Sequence, residues 1–482
     1  MSSDQRTGGH LRPAVGEGTR IGSGSIGELG AALRAGAVSA VELARQALTR
    51  AASLGHPYVA IAALTAARAE AEASAADARL RSGASDPLLG IPYGAKDIIA
   101  ARGAPTSWGV TSLLEQILDQ DAVVVDRLHH RGAVLVAKLV TSPLAGGGGT
   151  DRPGLSAHGQ PHNPWAPERY AGGSSSGSAI AVALGIVPFA LGSETGGSTI
   201  QPAAYCGVTG YRPTWGLIPR TGVMGLSSGL DKVGVLARTA EDCAVVADAL
   251  SGQDGTDADC LDPPAGAAPE PAIDRLVVGI SPGDLDRVAP AMRGTGRRGL
   301  DELSALVGEV RPAEIAPEIG YGPAIEVIVS VDAERSLREL VWSPDTELPD
   351  PGQLARLRAA RDITPADYAH ALEVQELTRR EFARIFASVD LIAGVSVSDQ
   401  PQRRDVPRRP RGTASVADRL LAAANLAGLP GVAIPCGLDD DGLPVSLHLV
   451  GPRHRDRMLL AVAARYQRAT RHHLLRPPAG GD

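Results

Sequence analysis

Apolar and polar positions along this chain follow two patterns in turn. One is a spacing near 3.6 that predicts helices, and the other is short continuous apolar runs that predict buried strands. Ser25 with Glu28 and Ser39 with Glu42 are capping-box pairs, and Val41, Ala44 and Leu48 keep helical spacing behind the second, so the N-terminal region reads as helical. Residues 62–80 form an Ala/Arg/Glu segment closed by Gly83, which predicts a helix. The run LLGIPYGAKDIIA at 88–100 predicts a buried strand with a turn, 121–131 a helix, and AVLVAKLV at 133–140 a strand leading into a glycine-rich loop at 146–150. From Gly172 the chain reads as a loop, a short helix of small residues, a buried strand at 186–191 and a second loop. A Pro/Ala segment at 262–273 reads as a linker or surface loop, and 276–280 as a strand. Thr364, Pro365 and Asp367 open a long helix through Phe386. Strand pattern returns at 431–434 and 444–449, followed by a helix at 457–470. No internal repeat interrupts this order, and alternating helix, strand and loop predict an α/β fold with a doubly wound or mixed sheet.

With 482 residues, a prior of ~150 residues per domain allows about three domains or one large α/β unit. No apolar run approaches the ~20 residues of a membrane span, and MSSDQRTGGHLRP lacks a signal-type apolar region, so a soluble, cytoplasmic protein is expected. The net charge of −7 gives no general attraction to nucleic acid, which leaves the basic stretch RRDVPRRPR at 403–411 as a solvated loop. Aromatic residues at 3% disfavour stacking platforms for single strands. Cys206, Cys243, Cys260 and Cys436 show no CxxC spacing and are too sparse for a disulfide scaffold, so neither zinc nor disulfides are indicated. Of 47 basic residues only Lys96, Lys138 and Lys232 are lysines. Because arginine is permanently charged and lysine is not, those three positions are candidates for places where the charge must be removable.

The segment GGSSSGSA at 172–179 could be a flexible linker by composition, yet it runs directly into AIAVALG and a buried strand. A phosphate cradle would need GxxxxGK[ST], which is absent. A nucleophile elbow is formally spelled by Gly173, Ser175 and Gly177, but the preceding NPWAPERYA is not the strand such an elbow requires, and nothing marks His370 or His448 as its partner. The remaining reading joins the serine loops to a lysine. Lys96, inside the apolar IPYGAKDII, can act as a base if burial makes its neutral form accessible. The loop GSETGGS at 192–198 offers backbone N–H groups for an oxyanion beside Ser198, the candidate nucleophile.

LGIPYGAKD, YAGGSSSGSAIAVALG, GSETGGSTIQPAAYCGVTGYRPTWG and ANLAGLPGVAIPCGLDDDGLPVSLHLVGP resemble, in order and spacing, the motifs of the amidase signature family over residues 25–470. The resemblance implies one α/β/α domain at 21–475 with a large mixed β-sheet flanked by helices. Its core would be 21–261 and 416–475, with a variable substrate-side region at 262–415 and tails at 1–20 and 476–482. It also implies a Ser, cis-Ser, Lys triad in which Lys96 is the base, Ser174 the cis-peptide serine that relays the proton, and Ser198, 24 residues later, the acylated nucleophile. Thr195, Gly196 and Gly197 would form the oxyanion hole, Gly173 and Ser175 would support the strained loop, and no metal or cofactor is called for. The expected activity is hydrolysis of a small carboxamide or an aryl or alkyl amide, on a linear non-peptide bond, with no nucleic-acid or membrane partner and with a homodimer allowed. Three other readings stay open: a glutaminase-type subunit of an amidotransferase complex, a non-catalytic binding relative, and an α/β-hydrolase-type esterase.

The chain departs from the family pattern at Glu194, where aspartate is usual, and at Ile200, where arginine is usual, which reads as a re-formed support for the oxyanion loop. VDLIAGVSVSDQP stands where the family often shows a proline-threonine motif near the substrate. Lys138 and Lys232 fall at family positions and read as structural, Cys206 and Cys436 as core residues, and His158 and His162 as candidates to line a pocket.

Overall fold

Both capping boxes form. Glu28 N–H donates to Ser25 Oγ while the Glu28 carboxylate accepts from Ser25 N–H, and Ser39 with Glu42 repeats the arrangement, opening helices Ile26–Arg34 and Ala40–Arg50. The computed structural model describes residues 21–22, 24–146, 152–262, 272–283, 285–407 and 416–480. The expected tail at 1–20, the glycine loop past Gly146, linker residues 263–271 and the basic loop past Pro407 lie outside the described residues.

The strands are β1 (Ile61–Leu64), β2 (Pro92–Lys96), β3 (Val134–Leu139), β4 (Phe189–Glu194), β5 (Thr209–Arg212), β6 (Lys232–Ala237), β7 (Val277–Ile280), β8 (Glu309–Pro312), β9 (Leu391–Val395), β10 (Gly431–Leu438) and β11 (Pro444–Val450). They form one sheet in the order β1-β3-β2-β4-β6-β5-β10-β11-β9-β7-β8. Pairs β2/β3, β2/β4, β7/β8 and β7/β9 are parallel and the other neighbours antiparallel, so the sheet is mixed. Every residue of β2, β3, β4 and β6 is buried, which requires cover on both faces and gives an α/β/α sandwich. The segment 262–415 contributes β7, β8 and β9 and extends the same sheet at one end. After helix Asp456–Thr470, Ala479 in the 3₁₀ turn Pro478–Gly480 packs on the core, and residues 481–482 lie outside the described residues. Among the described residues no helix is long and apolar enough to cross a membrane.

One predicted element is divided. Where the alanine-rich pattern predicted a helix from 62, residues Ile61–Leu64 form β1 and the helix runs Ala66–Arg81. Pairing decides it: Ile61 and Leu64 register with Leu139 and Ala137 of β3, and Thr65 Oγ1 donates to the Leu135 carbonyl at 2.6 Å. Long-range ladder bonds override alanine's local helix preference here.

Parallel strands β2 and β4 run side by side, and Lys96 and Ser193 at their carboxyl ends meet the loop 172–175 that leads into helix Ser176–Ala183. A site at the carboxyl ends of such strands follows from this topology.

Candidate active site

Lys96 closes β2 with its side chain fully buried. Its Nζ lies 2.7 Å from Ser174 Oγ and 2.7 Å from Ser193 Oγ. Burial lowers its pKa from 10.5 to about 7, against the opposing pull of the Asp231 and Glu194 carboxylates. Ser174 follows a cis Gly173–Ser174 peptide, and its carbonyl accepts from Ser142 N–H at 3.3 Å. Gly177, where the loop enters its helix, has no room for a side chain: a Cβ there would sit 2.4 Å from both the Ala60 carbonyl and Val140 N. This contact lets the serine loop lie directly on the strand ends.

Ser175 ties the two serine loops together. Its N–H donates to the Ser198 carbonyl at 3.1 Å, and its hydroxyl accepts from Ser193 N–H at 3.2 Å. Ser198, 8% exposed, starts the turn into helix Ile200–Cys206, and Gln201 N–H donates to the Gly197 carbonyl at 2.9 Å. Gly197 has φ +122°, a backbone state that favours glycine. Among the described residues no hydrogen bond joins the hydroxyls of Ser174 and Ser198. The structure thus brings Lys96, Ser174, Ser175 and Ser198 together around loop 195–197, with the lysine–serine contact closed and the serine–serine contact open.

Glu194, flagged in the sequence as a departure, is the anchor of this loop. Its Oε2 accepts from the N–H groups of Thr199 and Ile200 at 2.7 and 2.8 Å, directly behind Ser198. Its Oε1 accepts from Arg212 Nη1 of β5 and from Asn425 Nδ2, both at 2.9 Å. Burial alone would raise the Glu194 pKa, but Arg212, Asn425 and the Ile200 N–H outweigh it and hold the carboxyl at about 2. With isoleucine at position 200, the cation that faces this carboxylate comes from β5 of the same sheet.

Sequence reasoning missed four participants. Ser193 is the second partner of Lys96. Asp231 accepts the Thr195 hydroxyl at 2.5 Å and the N–H groups of Leu226 and Ser227 at 2.7 and 2.8 Å, and burial raises its pKa. Arg212 and Asn425 complete the Glu194 anchor. Asp231 was the most accessible of these, since it precedes Lys232, a position already marked by the scarcity of lysine.

The other candidates sort by contact. Lys138 Nζ donates to Asp97 at 3.2 Å and Thr106 at 2.7 Å, a buried structural pair. His158 Nε2 lies 3.0 Å from Ser107 Oγ on the same network, and His162 packs edge-on to Tyr58. Neither lines the cavity beside loop 195–197, a space of about 240 Å³ bounded by Ser193, Thr195, Asp231, Lys232, Met224 and Arg220 among others. Lys232 is therefore part of a cavity wall as well as a buried residue, and burial together with nearby Arg212 brings its pKa to about 7. Cys206 and Cys436 are buried and their thiols are pushed well above the ordinary value. His448 is fully buried with its pKa lowered to about 3 by burial and Arg212, and His370 lies on the surface beside Glu373. No histidine–serine pair of the elbow type forms at Ser174, Ser175 or Ser198 among the described residues. Nor do three or more His, Cys, Asp or Glu converge on a metal-sized site there.

A family model described as Amidase matches residues 42–460. A glutamyl-tRNA(Gln) amidotransferase subunit from Roseiflexus castenholzii is 35% identical, over 93% of this chain and 96% of its own length. The protein of the same name from Methylococcus capsulatus is 34% identical, over 95% and 99%. Among solved structures, the native peptide amidase from Stenotrophomonas maltophilia superposes with a TM-score of 0.81 at 28% identity, covering 94% of this chain and 98% of that one.

Proposed function

The chain belongs to the amidase signature family, and on that premise we propose that it hydrolyses a linear, non-peptide carboxamide through an acyl-enzyme on Ser198. The observation that carries this reading is the 2.7 Å contact between Ser174 Oγ and a fully buried Lys96 amine with a pKa of about 7. As a neutral amine, Lys96 donates to Ser193 and accepts from Ser174. Ser198 Oγ attacks the amide carbon, its proton passes to Ser174 Oγ, and the Ser174 proton passes to Lys96 Nζ. The N–H groups of loop 195–198 receive the oxyanion, a contribution of ~3 kcal/mol per donor in other serine enzymes. The C–N bond then breaks as the amine takes a proton back through Ser174. Water attacks the ester by the same route, releasing the carboxylic acid and restoring Ser198. Substrate binding closes the open link between the two serine hydroxyls, as catalytic hydrogen bonds often tighten on the reacting complex.

The small cavity favours a small amide over a polypeptide, and four unpaired cysteines are in keeping with a reducing, cytoplasmic setting. A second reading has a specific basis. The relatives above are named as subunits of an amidotransferase, so this chain could work as the glutaminase partner in a complex. Purified chain offered simple amides without partners separates the two: ammonia release with a Ser198 acyl adduct in the mass spectrum, absent in Ser198→Ala, supports the free-standing amidase. Inactivity alone, relieved by a partner protein with glutamine, supports the second.

A further inference from the structure

Four charged side chains line the cavity beside the oxyanion loop: Arg220, Lys232, Asp231 and Asp257. Each already has a partner within the protein. Arg220 donates to both oxygens of Asp257 at 2.9 and 2.8 Å, to Asp259 at 2.8 Å and to the Ser228 carbonyl, which occupies four of its five N–H groups. The guanidinium also stands 5.6 Å from the centre of the Trp215 ring. Asp231 accepts from the Thr195 hydroxyl on one oxygen and from two backbone N–H groups on the other. Lys232 Nζ donates to Asn425 Oδ1 at 3.0 Å. With Asp259 also on Arg220 and Lys232 brought to a pKa of about 7, the wall carries no surplus positive charge, and Ile98, Val223, Met224, Leu226 and Val233 supply apolar surface between its charged groups.

Resting on the reading that Ser198 is acylated, we infer that this cavity takes the acyl part of a neutral carboxamide bearing a small apolar group. It rejects amides that carry a carboxylate, α-amino acid amides such as glutamine included. A substrate carboxylate entering here gives up its water, and the guanidinium that would replace that water is held by Asp257 and Asp259. A buried charge without a partner is strongly disfavoured. An apolar acyl group meets no such cost and gains by leaving water. The cavity's own charges therefore act by holding the wall and Thr195 in place, and they take no direct part in gripping a charged substrate.

The test compares butyramide, benzamide, succinamate and glutamine in two measurements: ammonia release by the wild-type chain, and calorimetric binding to Ser198→Ala. The expected kcat/KM for butyramide and benzamide exceeds that for succinamate and glutamine by about 100-fold or more, with the same order in binding. Freeing the guanidinium with the paired isosteric change Asp257→Asn, Asp259→Asn is expected to narrow the succinamate deficit by about tenfold. If that variant does not fold, the wild-type and Ser198→Ala comparisons decide alone. Use of succinamate or glutamine by the wild type at a rate equal to butyramide overturns the inference and leaves the amidase reading intact. Ordered binding to Ser198→Ala with no turnover of any amide by the wild type leaves the cavity assignment standing and removes the hydrolytic reading. Binding without that order, or no binding, overturns the cavity assignment.

Discussion

Lys96 can take a proton only as a neutral amine, and burial sets that form within reach by lowering its pKa from 10.5 to about 7. At pH 7 about half of the molecules then carry a neutral Lys96, whereas a lysine at its ordinary pKa would be neutral in about one molecule in 3,000. The neutral fraction drops to about 1% at pH 5, so kcat/KM for a neutral amide should fall about 50-fold between pH 7 and pH 5 and level off above pH 8. The sign is fixed by the base's role: a lowered lysine pKa extends activity toward acid, and activity is lost as pH falls through that pKa. Pre-steady-state acylation of Ser198, followed from pH 5 to 8.5 with circular dichroism confirming the fold, reads this limb directly. Lys232 also has a pKa near 7 and lines the cavity, so the limb must be assigned. Lys232→Gln should keep the midpoint, whatever it does to KM, whereas Lys96→Arg should be folded and inactive at every pH, because guanidinium stays protonated. A rate that is flat down to pH 5.5, a midpoint that moves with Lys232, or an active Lys96→Arg would each refute the assignment of Lys96 as the base.

Glu194→Gln removes the charge facing fully buried Arg212 and should cost about 3–5 kcal/mol of unfolding free energy in urea, with slower acylation; a loss below about 1 kcal/mol refutes the anchor. The same pair makes a pH prediction: with the Glu194 pKa at about 2 in the folded chain and 4.5 unfolded, roughly 3 kcal/mol of stability is present above pH 4.5 and is lost as pH falls toward 2. Acid titration of the urea midpoint, wild type against Glu194→Gln, measures it, and parallel curves would count against it. Ser193→Ala takes away one of the two hydroxyls on Lys96 and should lower kcat about 10- to 100-fold with KM nearly unchanged, while an unaltered pH profile and kcat would assign Ser193 no positioning role. Gly177→Ala forces a Cβ to 2.4 Å from two backbone atoms and should give little soluble protein; a variant that melts like the wild type refutes the close approach.

The parts of the site that could be read from the sequence are those written within one loop or one strand. Ser174, Ser175 and Ser198 lie in short segments whose small residues have a local physical reason, and Lys96 ends an apolar run. The parts that could not be read are joined only by folding: Arg212 reaches Glu194 from the next strands of the sheet, and Asn425 is 231 residues away from it. Neither has a local pattern to betray it, since an arginine in a strand and an asparagine in a helix are common on their own. The lysine count carried more than it first suggested. All three lysines are buried and all three have lowered pKa values, so arginine bias spared the positions where burial works against a permanent charge. Burial alone does not explain the choice, because Arg212 is equally buried. For Lys96, though not for Lys138 beside Asp97, the difference lies in the partner. Arg212 hydrogen-bonds a carboxylate that keeps its charge to a pH of about 2, and a fixed cation suits it. Among the described residues Lys96 hydrogen-bonds only hydroxyl groups, so nothing in direct contact compensates a permanent charge there. Burial and hydroxyl partners at that position favour a cation that can be discharged, which is the property the proposed base requires.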